Sequence, residues 1–269
     1  MISRKHAEAA FLAYTSSYDA GNSMIRHKVD HTLRVAENCE RIAHSLSMDE
    51  EQASWAWFLG LLHDIGRFEQ VRRFGTFIDA VSVDHAELSA DLLFREGLIR
   101  HFADGELPEA WAALLETAVR QHNKLTLPAA LDERTRLFCD LIRDADKVDI
   151  FRVVAELPFE ERIGTSKGLI LEGDEAGDGV MDCVRRHCCV PRALRKTRFE
   201  GLISHGCMAF ELVFPESRKM CREQGWLSRL LADDTGEDGK PLWSARQSAQ
   251  LRILRGEIEN AWDNQPAES

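Results

Sequence analysis

Residues 55–68 read WAWFLGLLHDIGRF, a largely apolar run that contains the adjacent polar pair His63 and Asp64 and one further polar residue, Arg67. Such a stretch is predicted to lie in the protein core, where an unpaired carboxylate would be costly to desolvate. The pair therefore needs a partner inside the protein. A single buried histidine is ordinarily a hydrogen-bonded core residue, and only further polar residues directed at the same place would indicate a site.

Apolar residues at helical spacing continue from this stretch in both directions and mark most of residues 1–155. Their spacing predicts helices at about 4–18, 29–47, 49–69, 84–96, 108–123 and 132–155. Ser47 and Glu50 match a capping box, so Ser47 is predicted to cap the third helix. Leu and Ala outnumber Val and Ile by more than two to one, which favours helix over strand. The predicted fold class is all-α.

Composition narrows the class of protein. The chain has 269 residues, a formal net charge of −11 and 44% hydrophobic residues, which fits one large domain or a domain with an extension. No apolar stretch approaches the roughly 18–20 residues of a membrane span, and the N-terminus shows no secretory signal. Seven irregularly spaced cysteines indicate reduced thiols. We expect a cytoplasmic protein without membrane association, and the acidic balance argues against broad nucleic-acid binding.

Three further predicted helices each direct one histidine toward their buried face: His31, His85 and His122. Together with the His63-Asp64 pair and an aspartate within 143–149, they form a set of imidazoles and carboxylates that suits Mn, Fe, Ni or Zn. A divalent ion would also offset the burial of two negative aspartates. Ligand-type residues converging from separate helices favour a metal site over unrelated core histidines.

Spacing alone does not select the aspartate within 143–149. Asp144, Asp146 and Asp149 all lie in this stretch. Helical phase aligns Asp144, rather than Asp146, with the apolar residues Leu137 and Leu141. The residues by themselves leave this choice open.

The order of these residues resembles that of a known family, the HD-domain metal-dependent phosphohydrolase superfamily. The resemblance covers roughly residues 25–155, and its H…HD…D motifs are DHTLRVA with His31, LLHDIGRF with His63 and Asp64, and RDADKVD. It implies an all-helical fold and selects Asp146 as a metal ligand. His85 and His122 look like the additional ligands of the binuclear branches, which include HD-GYP-type cyclic-dinucleotide phosphodiesterases and mixed-valent di-iron oxygenases. In such a site Asp64 would bridge two ions.

The predicted cofactor is one or two divalent ions of Mn, Fe, Ni, Mg or Zn. An ion with an open position lowers the pKa of bound water toward about 7 and polarises a phosphoryl oxygen, which is sufficient for phosphoester hydrolysis. Asp64 is predicted to bind the ion and to orient the water. His85 or His122, whichever is not bound to metal, is predicted to act as general acid toward the leaving group.

An anionic substrate needs local positive charge in this acidic chain. Arg67 follows His63 by one helical turn, and lysines follow His122 by two residues and Asp146 directly; the predicted phosphate contacts are therefore Arg67, Lys124 and Lys147. The predicted function is hydrolysis of a phosphoester or phosphodiester in a small molecule, with a nucleotide favoured. The alternatives are a di-iron oxygenase with the same six ligands and a non-enzymatic metal-containing sensor or interaction protein.

The remaining sequence is less informative. The HD domain is predicted to cover 1–165, and a mostly helical extension, 166–269, to pack on it, with helices near 205–232 and 243–262 and loops at 172–179 and 233–241. A homodimer is left open. Residues 164–168, GTSKG, match G-x-S-x-G but lack the flanking strand and helix of a serine hydrolase. The cluster of Cys183 with 187–189 lacks paired CxxC spacing and is interpreted as structural.

Overall fold

The computed structural model describes residues 2–19, 21–156, 175–232 and 241–264. Within these ranges the protein is helical and has no strand, which confirms the all-α prediction. The first helices, in chain order, are α1 (Arg4–Thr15), α2 (Ser23–Ser45), α3 (Glu50–Leu62), α4 (Ile65–Phe74), α5 (His85–Ala90), α6 (Ile99–Ala103), α7 (Glu109–Gln121) and α8 (Glu133–Glu156). A π-helical turn, Asp91–Arg95, continues α5, and a short 3-10 turn, Asp79–Val81, precedes it.

Contacts divide the chain into two compact units, Met1–Asp149 and Ile150–Ser269. The second unit contains α9 (Asp178–Arg185), α10 (Arg198–Cys207), α11 (Pro215–Gln224), α12 (Trp226–Leu230) and α13 (Ala245–Asn264). The helix predicted near 205–232 is wrong in extent, because three separate helices share that range. The predicted boundary at 165, the GTSKG motif, residues 172–174 of the first predicted loop and residues 233–240 of the second lie outside the described residues. None of the described helices is long and apolar enough to cross a membrane.

The cysteines of the second unit have structural surroundings. All seven cysteines of the chain are free thiols, and the Cys188 thiol lies 3.6 Å from the Cys183 carbonyl oxygen. His187 contacts Glu257 at 2.8 Å and stacks on Phe210 with ring centroids 5.0 Å apart. These contacts agree with the structural interpretation of this cluster.

The helix predicted at 49–69 is in fact two helices, α3 and α4, because the helical path breaks at Asp64, whose φ of −109° and ψ of 19° are not helical. Neighbouring side chains on an uninterrupted helix point about 100° apart around its axis. The break frees His63 and Asp64 from that constraint, so that both side chains face the same buried space.

The predicted capping box is also wrong by two residues. Asp49 caps α3: its carboxylate accepts a hydrogen bond from the Gln52 amide at 2.8 Å, and the Gln52 side-chain oxygen accepts one from the Asp49 amide at 3.1 Å. Ser47 instead has a φ of 56°, in the left-handed region, whereas a cap residue is extended. Asp and Ser are comparable caps, so the sequence pattern alone could not separate the two registers.

Close packing of α2 on α3 fixes the helices that carry His31 and lead to His63. Gly60 lies at their contact, where an added Cβ would be 2.6 Å from Ala36 Cα and 2.9 Å from Cys39 Sγ. Overpacking of this kind typically costs about 1–3 kcal/mol. We therefore expect Gly60→Ala to lower the free energy of unfolding by about that amount in urea titrations.

Gly256→Ala is the matched control, because nothing lies within 4 Å of a Cβ added there on α13. Its stability should be equal to that of the parent or higher by up to about 1 kcal/mol, the helix preference of Ala over Gly. A Gly60→Ala chain as stable as the parent would show that the two helices are not in this close contact.

Candidate metal centre

Four histidines from four places in the chain meet inside the first unit. His31 lies on α2, His63 directly follows α3, His85 begins α5 and His122 directly follows α7. None of them is more than 6% exposed. Each ring uses its Nδ1 atom for a hydrogen bond to a neighbouring residue, and the four Nε2 atoms point toward Asp64.

Two of the histidines are anchored by backbone carbonyls. His63 Nδ1 donates to the Gly60 oxygen at 2.7 Å, and His122 Nδ1 donates to the Val119 oxygen at 2.7 Å. A carbonyl oxygen only accepts hydrogen bonds, so each ring carries a proton on Nδ1. In the neutral tautomer with that proton, Nε2 has the lone pair that binds a metal.

The other two histidines are anchored by carboxylates. His31 Nδ1 lies 2.7 Å from Asp149 Oδ2, and His85 Nδ1 lies 2.6 Å from Asp79 Oδ2. Burial raises the pKa of Asp79, but the hydrogen bonds from His85 and Gln70 and the charge of Arg67 outweigh this and lower the pKa to about 2. Asp79 is thus ionised and accepts the Nδ1 proton of His85. A carboxylate behind a histidine is the usual way in which proteins orient a ligating ring.

The Asp64 carboxylate lies between two pairs of imidazoles. Its Oδ2 atom is 3.7 Å from His31 Nε2 and 3.4 Å from His63 Nε2. Its Oδ1 atom is 3.6 Å from both His85 Nε2 and His122 Nε2. Each oxygen of one buried carboxylate therefore faces its own pair of imidazole Nε2 atoms.

Asp146 completes the first of these groups. Its Oδ1 atom is 3.1 Å from His31 Nε2 and 3.8 Å from His63 Nε2. Asp149 lies on the opposite edge of the His31 ring, and Asp144 is fully buried. Asp146 is thus the aspartate of the 143–149 stretch that lies beside Asp64 and the Nε2 atoms.

The hydrogen bonding of these residues is consistent with a site for a divalent metal. His31 Nε2, His63 Nε2 and Asp64 Oδ1 are buried and have no hydrogen-bond partner. His85 Nε2 and His122 Nε2 are 3.1 Å apart, and with both protons on Nδ1 their lone pairs face each other. Orphaned buried acceptors are rare and costly. A cation between them would satisfy all of these atoms, and imidazole with carboxylate suits Zn, Fe, Mn or Ni.

Comparison with known proteins agrees with this geometry. Residues 29–150 match the family model described as the HD domain. The match is consistent with the HD-domain metal-dependent phosphohydrolase superfamily, and the matched region is named the HD domain. The family generally comprises metal-dependent phosphohydrolases, and its members bind divalent metals. No curated protein and no solved structure gives a significant match to the chain.

Burial and charge set the protonation states in this HD domain. Burial lowers the pKa of His63 and His85, so both rings stay neutral. Burial raises the pKa of Asp64, but the charge of Lys28 outweighs it and holds the pKa well below its ordinary value. Burial and Lys28 lower the pKa of His31, yet its carboxylate partners raise it overall. Ionised Asp64 and neutral His63 and His85 are the forms that a metal requires.

Of the three predicted phosphate contacts, Arg67 lies at the HD-domain cluster. Its Nε is 3.7 Å from Asp64 Oδ1, and its Nη2 is 3.3 Å from His85 Nε2. Lys124 is held by carboxylates: its ammonium lies 2.6 Å from Asp84 Oδ2. Lys147 is buried, with its Nζ 3.5 Å from the Arg143 carbonyl oxygen.

Three residues of the site were missed from the sequence. Lys28 forms an ion pair with Asp64, Asp79 holds His85, and Asp149 holds His31. Lys28 precedes His31 by three residues, and Asp149 follows Asp146 by three, so helical spacing could have placed both on the ligand side. Asp79 lies in the connection before α5, where no periodic pattern marks it.

Proposed function

We propose that the HD domain hydrolyses a phosphoester or phosphodiester of a small phosphorylated molecule, with a nucleotide favoured, and uses two divalent ions. The observation that carries the proposal is the position of Asp64, each of whose oxygens faces a separate pair of imidazole Nε2 atoms. The residues that would hold one ion are His31, His63, Asp64 and Asp146. Those that would hold the other are Asp64, His85 and His122.

A divalent pair, when bound, would supply an activated water and offset charge on the phosphoryl group. Asp64 would bridge the two sites. Asp79 and Asp149 would keep the His85 and His31 rings in place through their Nδ1 atoms. Such supporting carboxylates typically contribute 10–100-fold to metal affinity or activity.

We assign His85 and His122 to metal binding rather than to proton donation. The Nδ1–H of His122 donates to the Val119 carbonyl oxygen and that of His85 to Asp79. Neither Nε2 then carries a proton for a leaving group. A general acid, where the substrate requires one, would therefore be another group or a water.

Positive charge beside the site supports an anionic substrate. Arg67 lies next to Asp64 and His85, and its guanidinium is positioned by the Phe77 carbonyl oxygen at 2.7 Å and by Asp79 at 3.0 Å. In a chain with a net charge of −11, this local cation favours phosphate at the cluster. Phosphate binding by Lys124 and Lys147 stays a prediction from the sequence.

A substrate panel tests the proposal. Purified protein is loaded separately with Mn²⁺, Mg²⁺, Ni²⁺ or Fe²⁺ and assayed with phosphate monoesters, nucleotides and cyclic nucleotides, while oxygen uptake is recorded in parallel. We expect metal-dependent release of phosphate or opening of a phosphodiester from at least one compound. Oxygen consumption by the iron-loaded protein without hydrolysis would instead identify an oxygenase. Metal binding without turnover of any kind would identify a sensor.

A further inference from the structure

Lys28 reaches the buried cluster from its partly open side. Its ammonium forms an ion pair with Asp64 Oδ2, the oxygen that also faces His31 and His63. The Lys28 side chain is 18% exposed, whereas that of Asp64 is 3% exposed. Because Lys28 lies one helical turn before His31, α2 presents a ligand and a cation to the same carboxylate.

From this contact we infer that Lys28 is a positioning residue with two partners. Without metal its ammonium neutralises Asp64, and with metal bound it contacts the phosphoryl group of the substrate. The second partner rests on the proposed function. A divalent ion held by His31, His63, Asp64 and Asp146 would repel the ammonium and would replace it as the counter-ion of Asp64. The lysine side chain has a flexible four-carbon stem with three donors on its end, so it can turn away while its backbone stays in α2.

Lys28 and Arg67 both lie near the ring of Phe77. Lys28 Nζ is 6.0 Å from the centre of the Phe77 ring, and the Arg67 guanidinium carbon is 5.4 Å from the same centre. Both cations thus lie near one aromatic ring at the edge of the cluster. Arg67 is hydrogen-bonded to the Phe77 carbonyl oxygen and to Asp79, whereas Lys28 contacts Asp64 and this ring within the described residues.

The chemistry of the ammonium indicates the group that it would take up. Once separated from Asp64, it lacks an anionic hydrogen-bond acceptor, and phosphoryl oxygens are strong acceptors for such a donor. A terminal, dianionic phosphoryl group supplies the most charge and several acceptor oxygens. We therefore assign phosphate monoesters as the substrate class that Lys28 serves.

Two binding measurements test this role without relying on turnover. Mn²⁺ is titrated into metal-free protein, and inorganic phosphate is titrated into the Mn²⁺-loaded protein, for the parent, Lys28→Met, Lys28→Arg and Lys219→Met. Loss of a charged hydrogen bond corresponds to roughly 10–100-fold in affinity. Lys28→Met should bind Mn²⁺ about tenfold more tightly, since no ammonium has to be displaced, and should bind phosphate at least about tenfold more weakly.

The controls separate this role from a structural one. Lys219→Met removes an exposed lysine of α11 paired with Glu216 and Glu223 and should change neither affinity by more than about twofold. Lys28→Arg keeps the charge and should retain most of the phosphate affinity. With a phosphate monoester as substrate, Lys28→Met should raise KM more than it lowers kcat. Should Lys28→Met not fold, Lys28→Gln is measured in its place.

Unchanged phosphate affinity in Lys28→Met, or weaker binding of Mn²⁺, would overturn the inference. Failure of the proposed function would give a different result. A parent protein that binds Mn²⁺ but hydrolyses nothing would still allow the Mn²⁺ affinities of the parent and Lys28→Met to be compared. If the parent hydrolyses a monoester and Lys28→Met does so with the same KM, only the role of Lys28 fails.

Discussion

Asp64→Asn is expected to remove metal binding and hydrolysis together, with kcat/KM falling by about 10³-fold or more. The amide is neutral and cannot supply an anionic oxygen to each of the two imidazole pairs. Its NH₂ group can instead donate to the lone pairs of His85 and His122, which lie 3.6 Å from Asp64 Oδ1. The substituted side chain therefore fits the metal-free fold but not a metal-bound one.

The measurement is kcat/KM at saturating metal for the best compound of the substrate panel, with circular dichroism to verify folding. Asp140→Asn is the control, because Asp140 is a partly exposed aspartate of α8 that lies 3.9 Å from Arg136. Asp140→Asn should keep the activity of the parent. An Asp64→Asn protein that retains a tenth or more of parental activity would contradict the role of Asp64.

Removal of metal is expected to weaken phosphate binding by about 100-fold or more and to lower thermal stability. The chain carries a net charge of −11, and two carboxylates, Asp64 and Asp146, face the cluster. Without metal, Lys28 is engaged by Asp64, so little positive charge is available to an anion. Because metal binds the folded chain, saturation at 100 times the dissociation constant adds about 2.7 kcal/mol of stability.

Phosphate titration and thermal melting before chelation, after chelation and after addition of Mn²⁺ test this expectation. Both phosphate affinity and melting temperature should fall on chelation and recover with Mn²⁺. Ca²⁺, which prefers oxygen ligands, serves as the control ion and should restore much less. Metal-free protein that binds phosphate as tightly as loaded protein would show that the anion is bound elsewhere.

The helices that carry the ligands could be predicted from the sequence, because a buried helix face has apolar residues at helical spacing. His31 lies on the apolar stripe of α2, and Asp64 stands out within an apolar run. The interruption between α3 and α4 could not be predicted from the sequence, because the apolar pattern continues through it without a Gly or Pro at the break. What ends α3 there is the position of two polar side chains in the tertiary structure, which overrides local helix preference.

Neither the aspartate ligand on α8 nor the role of Lys28 could be predicted from hydrophobic periodicity. Asp146 and Asp144 differ by two positions, and apolar phase favoured Asp144, whereas the carboxylate beside His31 and His63 is that of Asp146. The apolar stripe lies on one face of α8, and the residue that contacts the polar cluster lies on another. Helical phase alone therefore selects the wrong aspartate. Lys28 looks like an ordinary surface lysine until the fold brings it against Asp64.

We propose that six side chains hold a pair of divalent ions: His31, His63, Asp64, His85, His122 and Asp146. The most direct test is the number of Mn²⁺ ions bound per chain, measured by equilibrium dialysis with elemental analysis, in the parent and in Asp64→Asn. Two ions per chain in the parent and none held tightly in Asp64→Asn is the expected result. A parent chain that binds no Mn²⁺, or an Asp64→Asn chain that still binds two, would contradict the claim.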